Sequence, residues 1–177
     1  MTPLWEKRRV IACIGAGGVG KTTTSAAIGL AAARAGRRTL VMTIDPARRL
    51  ANAMGLPEFG NIEREIPADL IANLGVTLAA PLWAMMPDIK RTFDGLIQQV
   101  AADRERQQKI FQNRLYQEFS TALHGTLEFA AVEKLYEVYT DDRYDLIVLD
   151  TPPSRSAVDF LEAPGQLTEF LEHESWQ

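Results

Sequence analysis

The chain has 177 residues, 46% of them hydrophobic and 24% charged, with a formal net charge of −4. That length supports one domain with a real core, and the composition is globular rather than disordered. The acidic balance argues against a broadly basic nucleic-acid surface, no apolar run approaches a membrane span, and a single cysteine, Cys13, allows neither an intrachain disulfide nor a paired-cysteine metal site.

The first eight residues are too polar for a secretory signal, which points to a cytoplasmic protein. Arg9 to Ile14 then form a short apolar run of the kind a buried parallel strand shows, with Cys13 as a small apolar member. Gly15 to Thr22 read G-A-G-G-V-G-K-T and fit the phosphate-binding pattern G-x-x-x-x-G-K-[ST]. Lys21 to Ala35 are good helix formers without proline, and Gly36 is a stop. Strand, loop and helix therefore follow in the order that this motif needs. The glycines at 15, 17, 18 and 20 let the backbone curl, so that the loop Gly15, Ala16, Gly17, Gly18, Val19 and Gly20 turns its N–H groups to phosphate oxygens at a helix N-terminus. Lys21 is expected to reach the β- and γ-phosphates of ATP, Thr22 to ligate Mg²⁺, and Thr23 to touch the α-phosphate.

Thr39 to Ile44 read as a second buried strand ending at Asp45-Pro46. A carboxylate at a parallel strand's carboxyl end lies where ligands of open α/β sheets bind. Asp45 is thus the candidate for orienting the attacking water, the alternative being a helix N-cap with Pro46 at the first helical position. Ala47 to Met54 read as helix, closed by Gly55, and Leu56 to Asp69 as loop. Val76 to Met86 are strand-like, with Pro81 making the middle an edge or a bend. A helical region follows over about residues 88–140. In it Phe93, Leu96, Ile97 and Val100 share a face, and Phe111, Leu115, Phe119, Leu123 and Leu127 recur every four residues. Ala101 to Lys109 are charged, as in a solvated helix or a corner; His124-Gly125 is a break, and Glu128 to Thr140 a further helix. His124 and His173 are isolated and read as structural or surface residues.

Tyr144 to Asp150 form the third strong strand, four apolar residues ending in an acid, followed by Thr151-Pro152-Pro153. This is the Walker B form, in which Asp150 holds Mg²⁺, usually through its waters, opposite Thr22. Ser154 to Gln177 are mixed, with a helical stretch at Ser156–Glu162 and a break at Pro164-Gly165. The fold class expected is α/β, a P-loop NTPase with a mostly parallel sheet flanked by helices and a helical insertion before the Walker B strand. Residues 1–177 are expected to form one domain.

G-A-G-G-V-G-K-T-T-T, T-I-D-P-A-R-R-L and L-I-V-L-D-T-P-P-S, in this order, resemble the ArsA-type ATPases. That family includes arsenite-pump ATPases and the factors that deliver tail-anchored membrane proteins, with ParA and MinD as cousins. The resemblance implies ATP-driven cycling of a dimer that clasps nucleotide at its interface. It makes Asp45 the first-switch aspartate and Asp150-Thr151-Pro152-Pro153 the second switch. Ala16 stands where the family usually has a lysine before the double glycine, Arg48 where it has histidine, and Arg155 and Ser156 where it has glycine and histidine. The family's arsenite- or zinc-binding cysteines are absent, so an arsenite function has little support. The family continues beyond the second switch, so the chain is expected to be an amino-terminal portion, incomplete at its C-terminus.

The reading that follows is a Mg²⁺-dependent ATPase with weak intrinsic activity. It would pair as a homodimer, or as a heterodimer with a paralogue that keeps the lysine. A hydrophobic protein client would meet the Phe111–Leu127 stripe together with Trp83, Met85 and Met86, unless that stripe packs on the sheet. The alternatives are a ParA- or MinD-like positioning ATPase and a nucleotide-binding regulatory subunit that hydrolyses little. Nucleic acid is not an expected partner, and a membrane is one only indirectly.

Overall fold

The computed structural model describes residues 3–44, 62–73, 75–88, 92, 94–95, 97–98, 103–114, 116–117 and 126–151. A strand β1 (Val10–Cys13) leads through the glycine loop into helix α1 (Lys21–Arg34) and strand β2 (Thr39–Thr43). Then come β3 (Arg64–Glu65), α2 (Ala68–Ala72), β4 (Leu82–Met85), α3 (Arg104–Gln112), α4 (Thr126–Thr140) and β5 (Leu146–Asp150). The strands form one sheet in the order β1-β5-β2-β4-β3. All neighbours are parallel except β3, which runs antiparallel to β4. This is a mixed α/β fold with a mostly parallel sheet flanked by helices.

The continuous apolar runs of β2 and β5 are explained by burial on both faces. Val41, Leu82, Ala84, Leu146 and Val148 meet Ala32 and Ala33 of α1, with Ile66 and Ile71 closing that side. Leu40, Met42, Met85, Ile147 and Leu149 meet Ala131 and Val138 of α4 on the other. Each fully buried Leu, Ile, Val or Met contributes roughly 1.5–3 kcal/mol relative to exposure, so these two strands are the anchor of the sheet.

The face that α1 turns to the sheet is made of Ser25, Gly29, Ala32 and Ala33, all small. A Cβ at Gly29 would lie 2.4 Å from Cγ2 of Val41 and 3.5 Å from Cδ1 of Leu82. The helix thus approaches β2 more closely than any side chain at that position allows. Its far end closes with Gly36 N–H donating to Ala33 O (3.1 Å) and Arg37 N–H to Ala32 O (3.0 Å). This is the paired hydrogen-bond pattern of a glycine-terminated helix. Arg38 then grips the Asp145 carboxylate through its backbone N–H (2.8 Å), Nη2 (2.8 Å) and Nε (3.2 Å). The hydrogen bond from Arg38 holds the Asp145 carboxyl below the usual carboxylate range. Asp145 N–H returns a bond to Arg38 O (2.8 Å). These contacts set β2 and β5 in register before their ladder begins.

Some elements differ from the sequence reading. The strand expected over Val76 to Met86 starts only after Pro81, whose carbonyl accepts from Thr39 N–H (3.2 Å). The preceding residues bend back to α1, where Ala79 and Ala80 N–H both donate to Ala33 O. Part of the stretch read as loop carries β3 and α2, and β3 covers the side of β4 away from β2. In the helical region, the Asp103 carboxylate accepts from Arg106 N–H (2.7 Å) to start α3, which has no buried residue. Asn113 then turns extended, with ψ 125°, and α3, which carries Phe111, ends there. The Phe111 and Tyr116 rings still touch, centroids 5.9 Å apart. Leu115, Phe119, Leu123, Phe93, Leu96 and Val100 lie outside the described residues, as do the helices read at Ala47–Met54 and Ser156–Glu162. Among the described residues no helix is long and apolar enough to cross a membrane.

The close approach at Gly29 gives a test. Alanine favours a helix interior over glycine by about 1 kcal/mol. Here its methyl would press on β-branched Val41, which cannot swing aside, and overpacking of this kind costs about 1–3 kcal/mol. Gly29→Ala is expected to unfold at lower urea than the parent, and Gly29→Ala with Val41→Ala to lose less than the sum of the two single variants. An unchanged or raised midpoint in the single variant would show that the contact is not tight.

Candidate functional site

The parallel strands all end at one edge of the sheet, and their register brings three residues into a row there. Cys13 of β1 pairs with Asp150 of β5, and Asp150 with Thr43 of β2. Side chains alternate along a strand, so all three share the face that α1 covers. Asp150 is 0% exposed and Thr43 1%. A carboxylate withdrawn from water needs hydrogen-bond donors, and Thr43 Oγ1 donates to Asp150 Oδ2 at 3.0 Å. The backbone continues the connection, with Ile44 N–H donating to Asp150 O at 3.0 Å. On the other side, Thr151 Oγ1 donates to Cys13 O at 2.8 Å, tying the end of β5 to the base of the glycine loop.

The loop leaves β1 two residues after Cys13. Gly18 (φ 79°) and Gly20 (φ 88°) adopt the left-handed conformation that disfavours other residues. Gly20 is also the N-cap of α1, which has no side-chain cap and no acidic residue in its first turn. The positive end of the helix dipole is therefore left to face an anion. A Cβ added at Gly18 or Gly20 meets nothing within 4 Å, so the curl borders open space. Lys21 Nζ folds over the loop and donates to Gly15 O (2.9 Å) and Ala16 O (2.8 Å). An ammonium so placed lies within the curl, ready to exchange carbonyl oxygens for those of a ligand. Thr22 is half-buried and Thr23 exposed in the first turn of α1, while Val19 is well exposed at the crest of the loop.

Of the residues singled out from the sequence, Gly15 to Thr23 and Asp150 share this edge of the sheet. Asp45 lies outside the described residues, as do Arg48, Arg155 and Ser156; β2 leads toward Asp45 through Ile44. Thr43 has no role assigned from the sequence, where it opens the T-I-D-P-A-R-R-L stretch and reads as one more member of a buried strand. The available signal was a hydroxyl near the tip of an otherwise apolar run, two residues before an aspartate. The client-surface candidates on β4 need correction. Met85 is fully buried, Trp83 packs edge-on against Tyr144 with centroids 5.1 Å apart, and Met86 packs against the core. Met85 is thus taken up by the core, while Trp83 and Met86 are partly buried against it.

The donor set at the strand tips is all oxygen, a carboxylate beside a hydroxyl-bearing helix start, which suits a hard divalent cation such as Mg²⁺. Among the described residues there is no group of three or more His, Cys, Asp or Glu side chains able to hold a metal. A cation here would therefore draw further oxygens from a phosphate ligand and water, the usual arrangement for Mg²⁺.

The chain is similar in sequence to known proteins. The family model described as anion-transporting ATPase matches residues 8–175. The chain is 32% identical over 167 residues to the Streptomyces coelicolor protein SCO2128, covering 92% of this chain and 39% of that one. It is 27% identical over 165 residues to the putative arsenical pump-driving ATPase 1 of Aquifex aeolicus, covering 92% and 40%. It is 31% identical over 166 residues to the ATPase GET3 of Kluyveromyces lactis, covering 89% and 46%. The chain thus spans less than half the length of these relatives.

Proposed function

Because the chain belongs to the anion-transporting, ArsA-type ATPase family, we propose that it binds ATP with Mg²⁺ at Gly15–Thr23 and hydrolyses it as a conformational switch. The observation that carries this reading is Lys21 Nζ inside a glycine curl at a helix start, on the same sheet edge as the buried Asp150. Backbone N–H groups of the loop and the dipole of α1 cradle the phosphates. Lys21 transfers its hydrogen bonds from the Gly15 and Ala16 carbonyls to β- and γ-phosphate oxygens. Thr22 and Asp150 would hold Mg²⁺, which would supply charge to offset that developing on the phosphate oxygens. Thr23 contacts the α-phosphate, and Asp45 orients the attacking water.

The proposal extends to the assembly. The protein acts in the cytoplasm as a dimer, its nucleotide state coupled to dimer conformation and to binding of a hydrophobic protein client. In the family the residue at position 16 is a lysine that reaches the partner subunit's phosphates. A cation there stabilises the transition state more than the ground state, because charge builds on those oxygens during transfer. Ala16 supplies neither reach nor charge, so we propose weak intrinsic turnover and a preference for a paralogous partner that keeps the lysine.

Three measurements test these roles in the intact protein. Lys21→Ala removes charge-assisted hydrogen bonds worth about 1.5–3 kcal/mol each. ATP affinity is expected to fall at least tenfold, with the unfolding midpoint unchanged; parental affinity would remove the central claim. Pyrophosphate is a second ligand for the same titration, since it needs no adenine contacts. Asp45→Asn is isosteric and is expected to bind ATP nearly as the parent does while turnover falls on the order of 10²- to 10⁴-fold. Loss of binding together with turnover would assign Asp45 to the metal site or the fold. Ala16→Lys is expected to raise turnover on the order of 10²-fold, and mixing with a lysine-bearing paralogue to raise it without mutation. Fast hydrolysis by the unmodified protein alone, unaffected by Arg48→Ala or Arg155→Ala, would overturn the missing-cation argument.

A further inference from the structure

We propose that Thr43 is a positioning residue for Asp150: its hydroxyl holds the buried carboxylate in the orientation that serves a divalent cation beside the start of α1. The inference rests on the metal-binding reading above and assigns a role in it to Thr43, which opens the T-I-D-P-A-R-R-L stretch two positions before Asp45 and for which the sequence alone indicates no role.

Three observations support it. The hydrogen bond from Thr43 Oγ1 to Asp150 Oδ2, 3.0 Å long, joins side chains of two adjacent strands at the same register, both withdrawn from solvent. The donor is also stiff. Threonine is β-branched, and its strand is held against β5 on both sides of the contact, by the ladder below and by Ile44 N–H on Asp150 O above. Finally, a hydroxyl is costly in a strand buried on both faces unless it finds an acceptor. The other hydroxyl of β2, Thr39, donates locally to Arg37 O at 2.8 Å, whereas Thr43 spends its proton across the sheet on the site carboxylate. Valine would fill the same space and suit the strand as well. The hydroxyl is what distinguishes threonine here, and its acceptor is Asp150.

A carboxylate fixed on one oxygen by a rigid neighbour presents its coordinating geometry ready-made, and such outer partners of metal ligands typically affect metal affinity by about 10- to 100-fold. Thr43 also stands two residues ahead of Asp45, so the segment leading to the proposed water-orienting group is pinned to the proposed metal carboxylate.

The test is Mn²⁺ binding to the intact protein saturated with a non-hydrolysable ATP analogue, read from the electron paramagnetic resonance signal of free Mn²⁺. Thr43→Val is expected to weaken Mn²⁺ about tenfold, leaving metal-free affinity for the analogue unchanged, and Thr43→Ser to restore it. Asp150→Asn is the reference and is expected to lose more than Thr43→Val. Parental Mn²⁺ affinity in Thr43→Val, with a clear loss in Asp150→Asn, would overturn the role of Thr43 and leave the metal site standing. Equal losses in the valine and serine variants would also overturn it, by showing that packing and not the hydroxyl matters. Parental affinity in Asp150→Asn would overturn the metal reading itself. If Thr43→Val does not fold, Thr43→Cys replaces it, with a weaker donor of similar size and the same expected loss.

Discussion

The position of β5 between β1 and β2 is the constraint on which the site depends. A parallel ladder admits no freedom of register once both faces are buried, because a slip of one residue would turn every core side chain to the wrong side. Here the register is fixed twice. At one end Arg38 and Asp145 exchange backbone and side-chain hydrogen bonds, and along the ladder Val41 and Leu149 fall on opposite packed faces. With those settled, Asp150 has no choice of neighbours: Cys13 lies on one side and Thr43 on the other. The placement of a carboxylate at the foot of the glycine loop is thus a consequence of hydrophobic packing some distance away.

The second determinant is how low α1 sits on the sheet. Its inward face of serine, glycine and alanine forgoes the apolar area that larger side chains would bury. In exchange it brings the helix axis close to β2. The first turn of α1 carries Lys21, Thr22 and Thr23, so the height of the helix also sets the height of these groups above the strand tips. A glycine that costs helix stability in isolation is here a matter of site geometry.

What could be read from the sequence was whatever depends on local pattern. The strand–loop–helix at Gly15–Thr22 and the apolar strand ending at Asp150 declare themselves through spacing and residue type, and so the sheet and the placement of its candidate site residues along one edge were legible. The strand β3 was not, because Arg64 and Glu65 are exposed polar residues whose pairing with β4 is made by backbone alone. The end of α3 was not legible for a related reason: Asn113 is neither proline nor glycine, yet the helix ends there. Trp83 and Met85 looked available as binding groups because a sequence does not show which side of a strand another helix will cover. Thr43 was hidden within a hydrophobic run, and only the neighbouring strand gives its hydroxyl a meaning.

Lys21 has one more consequence. Its ammonium has three donors, and two of them rest on carbonyls of its own loop. Any anion that enters the curl must therefore outbid oxygens already in place, so affinity here is an exchange free energy and not a simple attraction. A halide or a single carboxylate offers little more than the two carbonyls it displaces. A polyphosphate offers several charged oxygens at once and engages the loop amides as well. On the proposed phosphate-binding reading, the intramolecular pair would set a threshold that favours ligands with several charged oxygens.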